Sequence, residues 1–198
     1  MDGTKSKHRP YFELAHGFAK QGIPTFRFNK RTYEHPKKFS GKTLTAQEEY
    51  MDDIARVAVE LTFMGYQNIF LFGHGLGGNV CAYALEKDKI QGAITFGAGF
   101  RDFEDLLLYQ FQTSRIRESL ANNPFITRVN AAKKAKKNAP DAMGLYPLDF
   151  GPGFWWSWHN VDHRNSFRRC LKPVLITLGG QDINVPREDY INWLKSMK

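Results

Sequence analysis

Short apolar runs alternate along this chain with stretches in which apolar residues recur at helical spacing. Four runs have the length of a buried strand, and they lie at residues 24–28, 68–72, 92–96 and 173–178. The clearest helical stretch runs from Tyr50 to Leu61, behind a capping-box pattern formed by Thr45 and Glu48. Parallel strands need a crossover connection, so strands separated by helices favour a parallel sheet. The sequence therefore predicts an α/β fold, with four strands in one parallel sheet flanked by helices on both faces.

The alternation stops between residues 99 and 171. Helical patterns come first in this stretch, at residues 103–112, 115–121 and 127–137. An aromatic segment at residues 150–158 follows, and its two glycines and one proline indicate irregular structure. We interpret residues 99–171 as a helical and aromatic insertion over the sheet.

One domain, residues 1–198, is the expected organisation for a chain of this length. Its core is expected at residues 10–98 and 172–198, on either side of the insertion. Trp155 and Trp156 belong to the insertion. Their rings either pack the insertion onto the sheet or line an apolar pocket for an acyl or aryl group.

The net charge of +8 is concentrated near the start of the chain. Residues 1–43 contain 10 Lys and Arg against 3 Asp and Glu. A second basic run, residues 133–137, is typical of a solvated helix face, because no aromatic stacking residues interleave with it. Nucleic acid is therefore not an expected partner.

Nothing in the sequence approaches the roughly 18 consecutive apolar residues of a membrane span, and the first residues are polar. We expect a soluble chain without a signal peptide, and favour the cytoplasm. Cys81 and Cys170 have neither CxxC nor metal-ligand spacing. The sequence gives no indication of an oligomeric state.

A glycine-rich segment follows the second apolar run and opens a helical pattern. Its residues are Gly73, His74, Gly75, Leu76, Gly77 and Gly78. This is the setting of a nucleophile elbow, G-x-S-x-G, in which a sharp strand-to-helix turn requires small neighbours. The amide of Leu76, at the helix start, would donate to an oxyanion. The central residue, however, is Gly75, which has no side chain to attack a carbonyl group.

Two other interpretations of this glycine cluster remain open. Gly73, Gly75 and Gly78 also satisfy the bare dinucleotide pattern G-x-G-x-x-G. That pattern calls for an acidic residue at the end of the next strand, where the chain has Phe96 and Gly97 instead. The other possibility is a turn without any chemistry.

An acidic residue follows the last apolar run, in the segment Gly180-Gln181-Asp182. In a Ser-Asp-His hydrolase, the carboxylate that orients the catalytic histidine follows a strand in this way and comes after the nucleophile in the chain. Asp182 is therefore the candidate acid. No histidine follows Asp182, and His74 is interpreted as structural.

His159 and His163 have the i, i+4 spacing of two metal ligands. They lack the glutamate of the HExxH motif, and only Asp162 stands nearby as a carboxylate. We therefore expect no metal, and no cofactor of another kind.

Together these segments resemble the α/β-hydrolase superfamily, in particular serine esterases and peptidases with a G-H-S-L-G-G elbow. The resemblance covers nearly the whole chain. Its specific parts are the turn at residues 73–78 and the segment from Gly180 to Pro186. Supporting parts are Asp2-Gly3-Thr4, Leu14-Ala15, Gly22-Ile23-Pro24, residues 27–32, Asp189-Tyr190 and Trp193.

The departures from that group concern the site itself. Gly75 stands where the group has the nucleophilic serine, and Asn29 stands where it has the aspartate of an R-Y-D-K-R-T segment. The resemblance further implies that a strand with an oxyanion segment is missing before the chain, and a strand with the triad histidine after it. We therefore expect a fragment, with a central sheet that lacks the strand next to residues 24–28.

The resemblance implies hydrolysis of small apolar esters, thioesters or amides through Ser-Asp-His acyl transfer. In this chain the catalytic positions would be Gly75 and Asp182, so the chain is expected to be inactive as written. The alternative is a non-catalytic protein whose hydrolase-like pocket binds an acyl or aromatic ligand, or a protein partner.

Overall fold

A computed structural model describes residues 9–39, 44–114, 123–137, 139 and 144–197. The chain separates into two compact units, Met1–Ser40 and Gly41–Lys198. The organisation as one domain with a core and an insertion stays a prediction. No helix within the described ranges is both long and apolar enough to cross a membrane.

The first unit contains three helices: α1 (Pro10–Lys20), α2 (Arg31–Glu34) and α3 (Pro36–Phe39). Helix α1 starts at Pro10, where a missing amide hydrogen is harmless, and ends before Gly22, which has a φ of 74°. The amide of Gly22 donates to the Ala19 carbonyl at 3.0 Å. A proline at the start and a glycine after the end therefore bound this helix.

Residues 24–28, predicted as a strand, form no strand in this unit. The segment has no regular secondary structure and is exposed, with Phe26 at 57% and Phe28 at 40% exposure. A strand is defined by pairing, and none of the described ladders includes these residues. The predicted strand is therefore absent from the described part of the chain, and this prediction was wrong.

The second unit begins with a helical segment whose cap the sequence predicted. The amide of Thr45 donates to the Glu48 carboxylate at 2.9 Å, and the amide of Glu48 donates to the Thr45 hydroxyl at 3.2 Å. This reciprocal pair is a capping box. A π-helical turn, Gln47–Met51, then leads into α4 (Asp52–Phe63).

Three strands and six further helices follow α4 in the described part of the chain. In order they are β1 (Ile69–His74), α5 (Leu76–Ala84), β2 (Ile90–Phe96), α6 (Phe103–Thr113), α7 (Pro124–Lys133), α8 (Pro152–Trp158), α9 (His163–Arg169), β3 (Val174–Thr177) and α10 (Arg187–Ser196).

The sheet is parallel with the order β1-β2-β3. Leu71 pairs with Ala93, and Ala93 pairs in turn with Val174. Three of the four predicted strands are thus confirmed, as is the parallel α/β class. The carboxyl ends of all three strands meet at one edge of the sheet, where loops can bring side chains together.

Helices of the second unit pack against one face of the sheet. A buried cluster on that face joins α4, α5, α9 and α10 to the strands through Ala58, Cys81, Ala82, Phe167, Trp193, Ile90 and Ala93. The other face carries Phe70, Phe72, Phe96 and Leu175, which are 40% to 56% exposed. Because the apolar residues of these four helices converge on the first face, the expectation of helices on both faces is not met here.

The insertion shares a second buried cluster with α5. Leu107, Val129 and Trp155 pack there with Val80 of α5 and Met51. The aromatic segment that the sequence predicted as irregular forms a helix, α8, because Pro152 occupies its first turn and Phe154 and Trp158 fall on one buried face. The predicted helix at residues 115–121 lies outside the described residues.

Candidate active site

The turn between β1 and α5 is held in a strained backbone conformation at Gly75. Its φ is 55° and its ψ is −125°, a combination that side-chain-bearing residues rarely adopt. The Gly75 amide donates to the Phe96 carbonyl at the end of β2, at 2.9 Å, and the Gly75 carbonyl accepts from the Gly78 amide at 2.9 Å. Hydrogen bonds to the neighbouring strand and within the helix therefore hold the turn on both sides.

Two glycines of this turn allow the strand and the helix to approach each other. A Cβ atom on Gly73 would lie 2.3 Å from the Gly77 carbonyl oxygen and 2.7 Å from the Cys81 sulfur. A Cβ atom on Gly78 would lie 2.7 Å from the Ala98 Cβ. Neither position has room for a methyl group without movement of its surroundings.

The other two glycines face open space. A Cβ atom on Gly75 or on Gly77 would have no neighbouring atom within 4 Å. The expectation that small residues must flank the centre of the turn therefore holds at Gly73. At Gly77 there is room for a larger residue. At Gly75, backbone conformation rather than space favours glycine.

Asp182 lies beside the carboxyl end of β2. Its Oδ2 atom would be 3.1 Å from a Cβ atom on Gly97, and the His74 ring lies 3.9 Å from the same point. Its Oδ1 atom accepts hydrogen bonds from the amides of Asn184, at 2.8 Å, and Val185, at 3.2 Å. The loop after β3 thus fixes this carboxylate at the strand edge where the Gly75 turn also lies.

His74 and Leu76 flank Gly75 in different ways. The His74 ring packs against Phe96, with centroids 5.6 Å apart. Leu76 is the first residue of α5, where helix amides have no intrahelical acceptor. The catalytic role of Gly75 and Asp182, the oxyanion role of Leu76 and the elbow roles of the other turn residues stay predictions.

Trp155 is fully buried in the cluster of the insertion. Its ring stacks on Phe103 at 5.4 Å and meets Phe154 edge to face at 5.4 Å. Trp156 is only partly buried, and the Lys137 ammonium lies 5.3 Å from its ring centroid. Trp155 therefore serves the core, and the proposed pocket role of the two tryptophans stays a prediction.

Two concave regions in the described structure lie away from Gly75. One, of about 340 Å³, is lined by Arg101, Asp105, Leu108, Tyr109, Gln112, Asp189 and Asn192. The other, of about 160 Å³, is lined by Asp102, Glu104, Trp158, His159, Val161, Asp162, His163 and Arg164. Neither is lined by Gly75 or Asp182.

Asp189 is a buried carboxylate with three hydrogen-bond donors. Its oxygens accept from the Phe100 amide at 2.8 Å, the Arg101 amide at 3.2 Å and the Arg101 Nε at 2.8 Å. Two further bonds reach the same segment, from Asn79 Nδ2 to the Gly99 carbonyl and from Trp193 Nε1 to the Ala98 carbonyl. These side chains anchor the loop after β2, next to the Gly75 turn.

His159 and His163, which have the spacing of two metal ligands, form hydrogen bonds with different partners. His159 Nε2 bonds with the buried carboxylate of Glu104, whereas His163 Nε2 donates to the Phe100 carbonyl at 3.3 Å. Within the described ranges, no three His, Cys, Asp or Glu side chains are grouped so that they could hold a metal ion.

Burial shifts the titration of two groups in the second unit. It raises the pKa of the Cys81 thiol to about 12, so this thiol stays protonated and unreactive. Burial also lowers the pKa of His163, with Arg164 adding to the shift. The Asn165 amide hydrogen bond lowers the pKa of Asp162, the N-cap of α9.

The His163 shift predicts a loss of stability on mild acidification. Because the pKa of His163 is lowered in the fold, the unfolded chain binds a proton at this side chain below a pH of about 6.5, whereas the folded chain binds it only at lower pH. Acidification therefore favours the unfolded state. His163→Phe removes this group. Urea unfolding between pH 7.5 and 5.5 should therefore show a smaller drop in unfolding free energy for the variant; an equal drop would contradict the assignment.

A parallel sheet with a strained glycine turn after one strand and a carboxylate loop after the last is the core arrangement of α/β-hydrolases. The chain shares this α/β-hydrolase-like fold with a solved esterase domain and is similar in sequence to an esterase. Over all 198 residues it is 23% identical to the esterase EstD of Thermotoga maritima, matching 47% of that protein. The chain thus spans about half the length of the curated relative it matches.

One solved structure supports this fold, and a second shows similarity only. The esterase domain of a Rhodothermus marinus protein has a TM-score of 0.60 and 18% identity, over 98% of this chain and 69% of that one. A monoacylglycerol lipase of Paleococcus ferrophilus has a TM-score of 0.47 and 24% identity, over 78% of this chain and 62% of that one. No family model matches the chain.

Proposed function

We propose that this chain is the nucleophile-and-acid portion of a carboxylic-ester hydrolase, with Gly75 at the nucleophile position and therefore without catalysis of its own. The observation that supports this most is the backbone of Gly75. Its positive φ, its bond to β2 and the open space around its α-carbon are what an elbow residue needs. The similarity to the esterase EstD supports esters as the substrate class.

The reaction that this arrangement would serve is acyl transfer. A hydroxyl at position 75 would attack the ester carbonyl, an imidazole base would take its proton, and the alcohol would leave. The Leu76 amide would donate to the oxygen that becomes negative, and Asp182 would orient the imidazole. Water would then release the acid. Small apolar esters, thioesters or amides are the proposed substrates, without a metal or cofactor.

A non-catalytic binding function is the second candidate. Gly75 itself favours it, because the turn and its open space are retained without a nucleophile. Such a protein would hold an acyl or aromatic ligand at the strand edge without cleaving it. The two candidates differ in what a nucleophile introduced at position 75 would do.

The test is to place a thiol at position 75. A cysteine needs no general base to react with p-nitrophenyl acetate, and the helix N-terminus lowers the pKa of a thiol there. Gly75→Cys should give a burst of about one equivalent of p-nitrophenolate as a thioester forms at residue 75. The unchanged chain should hydrolyse the ester no faster than a control protein, since loss of the nucleophile costs on the order of a millionfold.

Gly77→Cys is the matched control, since position 77 also faces open space in the same turn. We expect its thiol to be acylated at least about tenfold more slowly. The Leu76 amide is placed to donate to an oxyanion formed at residue 75, and a thiol at residue 77 would not have this donor. Mass spectrometry locates the acyl group, and buried Cys81 contributes no background. Equal rates at both positions would refute the elbow assignment. Turnover by the unchanged chain would show that another residue acts.

A further inference from the structure

The first unit is strongly basic and buries none of its described residues. Residues 9–39 contain seven cationic and two acidic side chains. The cations are Arg9, Lys20, Arg27, Lys30, Arg31, Lys37 and Lys38, and the acids are Glu13 and Glu34. Helices α1, α2 and α3 contain no buried residue. A stretch of this length and charge has no apolar core of its own to stabilise it.

Large apolar side chains are exposed on the same unit. They are Phe12 at 46%, Ile23 at 51%, Phe26 at 57%, Phe28 at 40% and Tyr33 at 54%. Single exposed apolar residues are common, but five within one short basic segment are typical of a binding surface.

Contacts within the unit hold these side chains on one body. The Ile23 amide donates to the Phe18 carbonyl at 3.0 Å, which fixes the segment at residues 24–28 to the end of α1. The Arg27 guanidinium lies 5.9 Å from the Phe12 ring centroid. The Phe26 and Phe28 rings are 6.4 Å apart, so both project from the same side of that segment.

We propose that the first unit docks on the surface of a membrane that contains anionic lipids. Its net positive charge complements the lipid phosphates. Its exposed Phe and Ile side chains can insert between the headgroups, as the apolar side chains of interfacial amphipathic segments do. Nucleic acid is the competing class of partner, because Phe12, Phe26, Phe28 and Tyr33 carry rings on which bases can stack, and the oligonucleotide arm of the test distinguishes the two. This surface shares no residue with the Gly75 turn, and its test does not depend on ester hydrolysis.

The experiment is sedimentation of the 198-residue chain with vesicles, either neutral phosphatidylcholine or a mixture with about 30% phosphatidylglycerol. We expect binding to the anionic vesicles only, weakened by salt. Lys20→Glu/Lys37→Glu/Lys38→Glu should weaken this binding at least about tenfold, since each basic residue contributes near the surface. Ile23→Ser/Phe26→Ser should weaken the binding that remains at high salt, which depends on insertion.

The control is Lys134→Glu/Lys136→Glu/Lys137→Glu, which gives the chain the same net charge from an exposed basic run of the second unit. It should change vesicle binding by less than about threefold, because the proposed docking surface does not include those side chains. Equal losses in the two triple variants would overturn the proposal in favour of non-specific attraction. Absence of vesicle binding would also overturn it. So would binding of a single-stranded oligonucleotide as strong as the binding of vesicles, if the same first-unit substitutions abolished it.

Discussion

Replacing Gly73 by alanine should prevent the chain from forming a stable fold, whereas the same change at Gly75 should leave it folded. A Cβ atom at residue 73 would overlap the Gly77 carbonyl oxygen at 2.3 Å. That oxygen belongs to α5, which packs against two strands, so relief would require the helix to move away from the sheet. We expect a destabilisation of about 3 kcal/mol or more.

Gly75→Ala is the matched comparison, because its methyl group meets no atom within 4 Å. Only the positive-φ backbone opposes it, at about 1–3 kcal/mol. Urea unfolding followed by tryptophan fluorescence measures both, since Trp155, Trp158 and Trp193 are buried. Similar destabilisation of the two variants would contradict the close approach of α5 and β1 at Gly73.

Asp189→Ala should give the second large effect. The carboxylate is 1% exposed and accepts from two backbone amides and the Arg101 side chain. Its removal leaves the partly buried Phe100 and Arg101 amides without their acceptor and the guanidinium without its partner. Each hydrogen bond to a charged group contributes about 1.5–3 kcal/mol, so we expect a loss of about 3 kcal/mol or more. Differential scanning calorimetry should show a correspondingly lower melting temperature.

Glu188→Ala provides the control, because Glu188 is the exposed neighbour in the same helical turn. It removes the same charge near the helix N-terminus and should cost about 1 kcal/mol or less. Asp189→Asn should fall between the two, since an amide oxygen still accepts hydrogen bonds. Equal melting temperatures for the Asp189→Ala and Glu188→Ala variants would contradict an anchoring role for Asp189.

Local sequence patterns were sufficient to predict the parallel sheet. The apolar run before Gly73 and the capping box at Thr45 each act within a few residues. Each produced the expected element. The glycine turn was recognisable for the same reason, because a tight turn is specified by the residues in it. Gly75 has a positive φ and Asp182 lies at the carboxyl end of β2, whereas their catalytic roles stay predictions.

Long-range contacts explain what the sequence did not predict. Residues 24–28 have the composition of a strand, but pairing depends on a partner that local residues do not encode. Asp189 bonds to Phe100 and Arg101, which precede it in the sequence by 89 and 88 positions. Glu104 bonds to His159, which lies 55 positions further along the chain. A polar residue on an apolar helix, such as Asn79, was the one local signal of such an anchor. The packing of Trp155 in the core likewise depends on distant helices.

The backbone of the Gly75 turn is maintained by atoms other than the side chain at position 75. The bond to Phe96 and the close approach at Gly73 would remain if residue 75 changed. In evolutionary terms, a hydroxyl at this position can be lost or regained by one substitution while the scaffold persists. Selection on folding alone therefore preserves the geometry that a nucleophile would use, even in lineages from which the chemistry has disappeared.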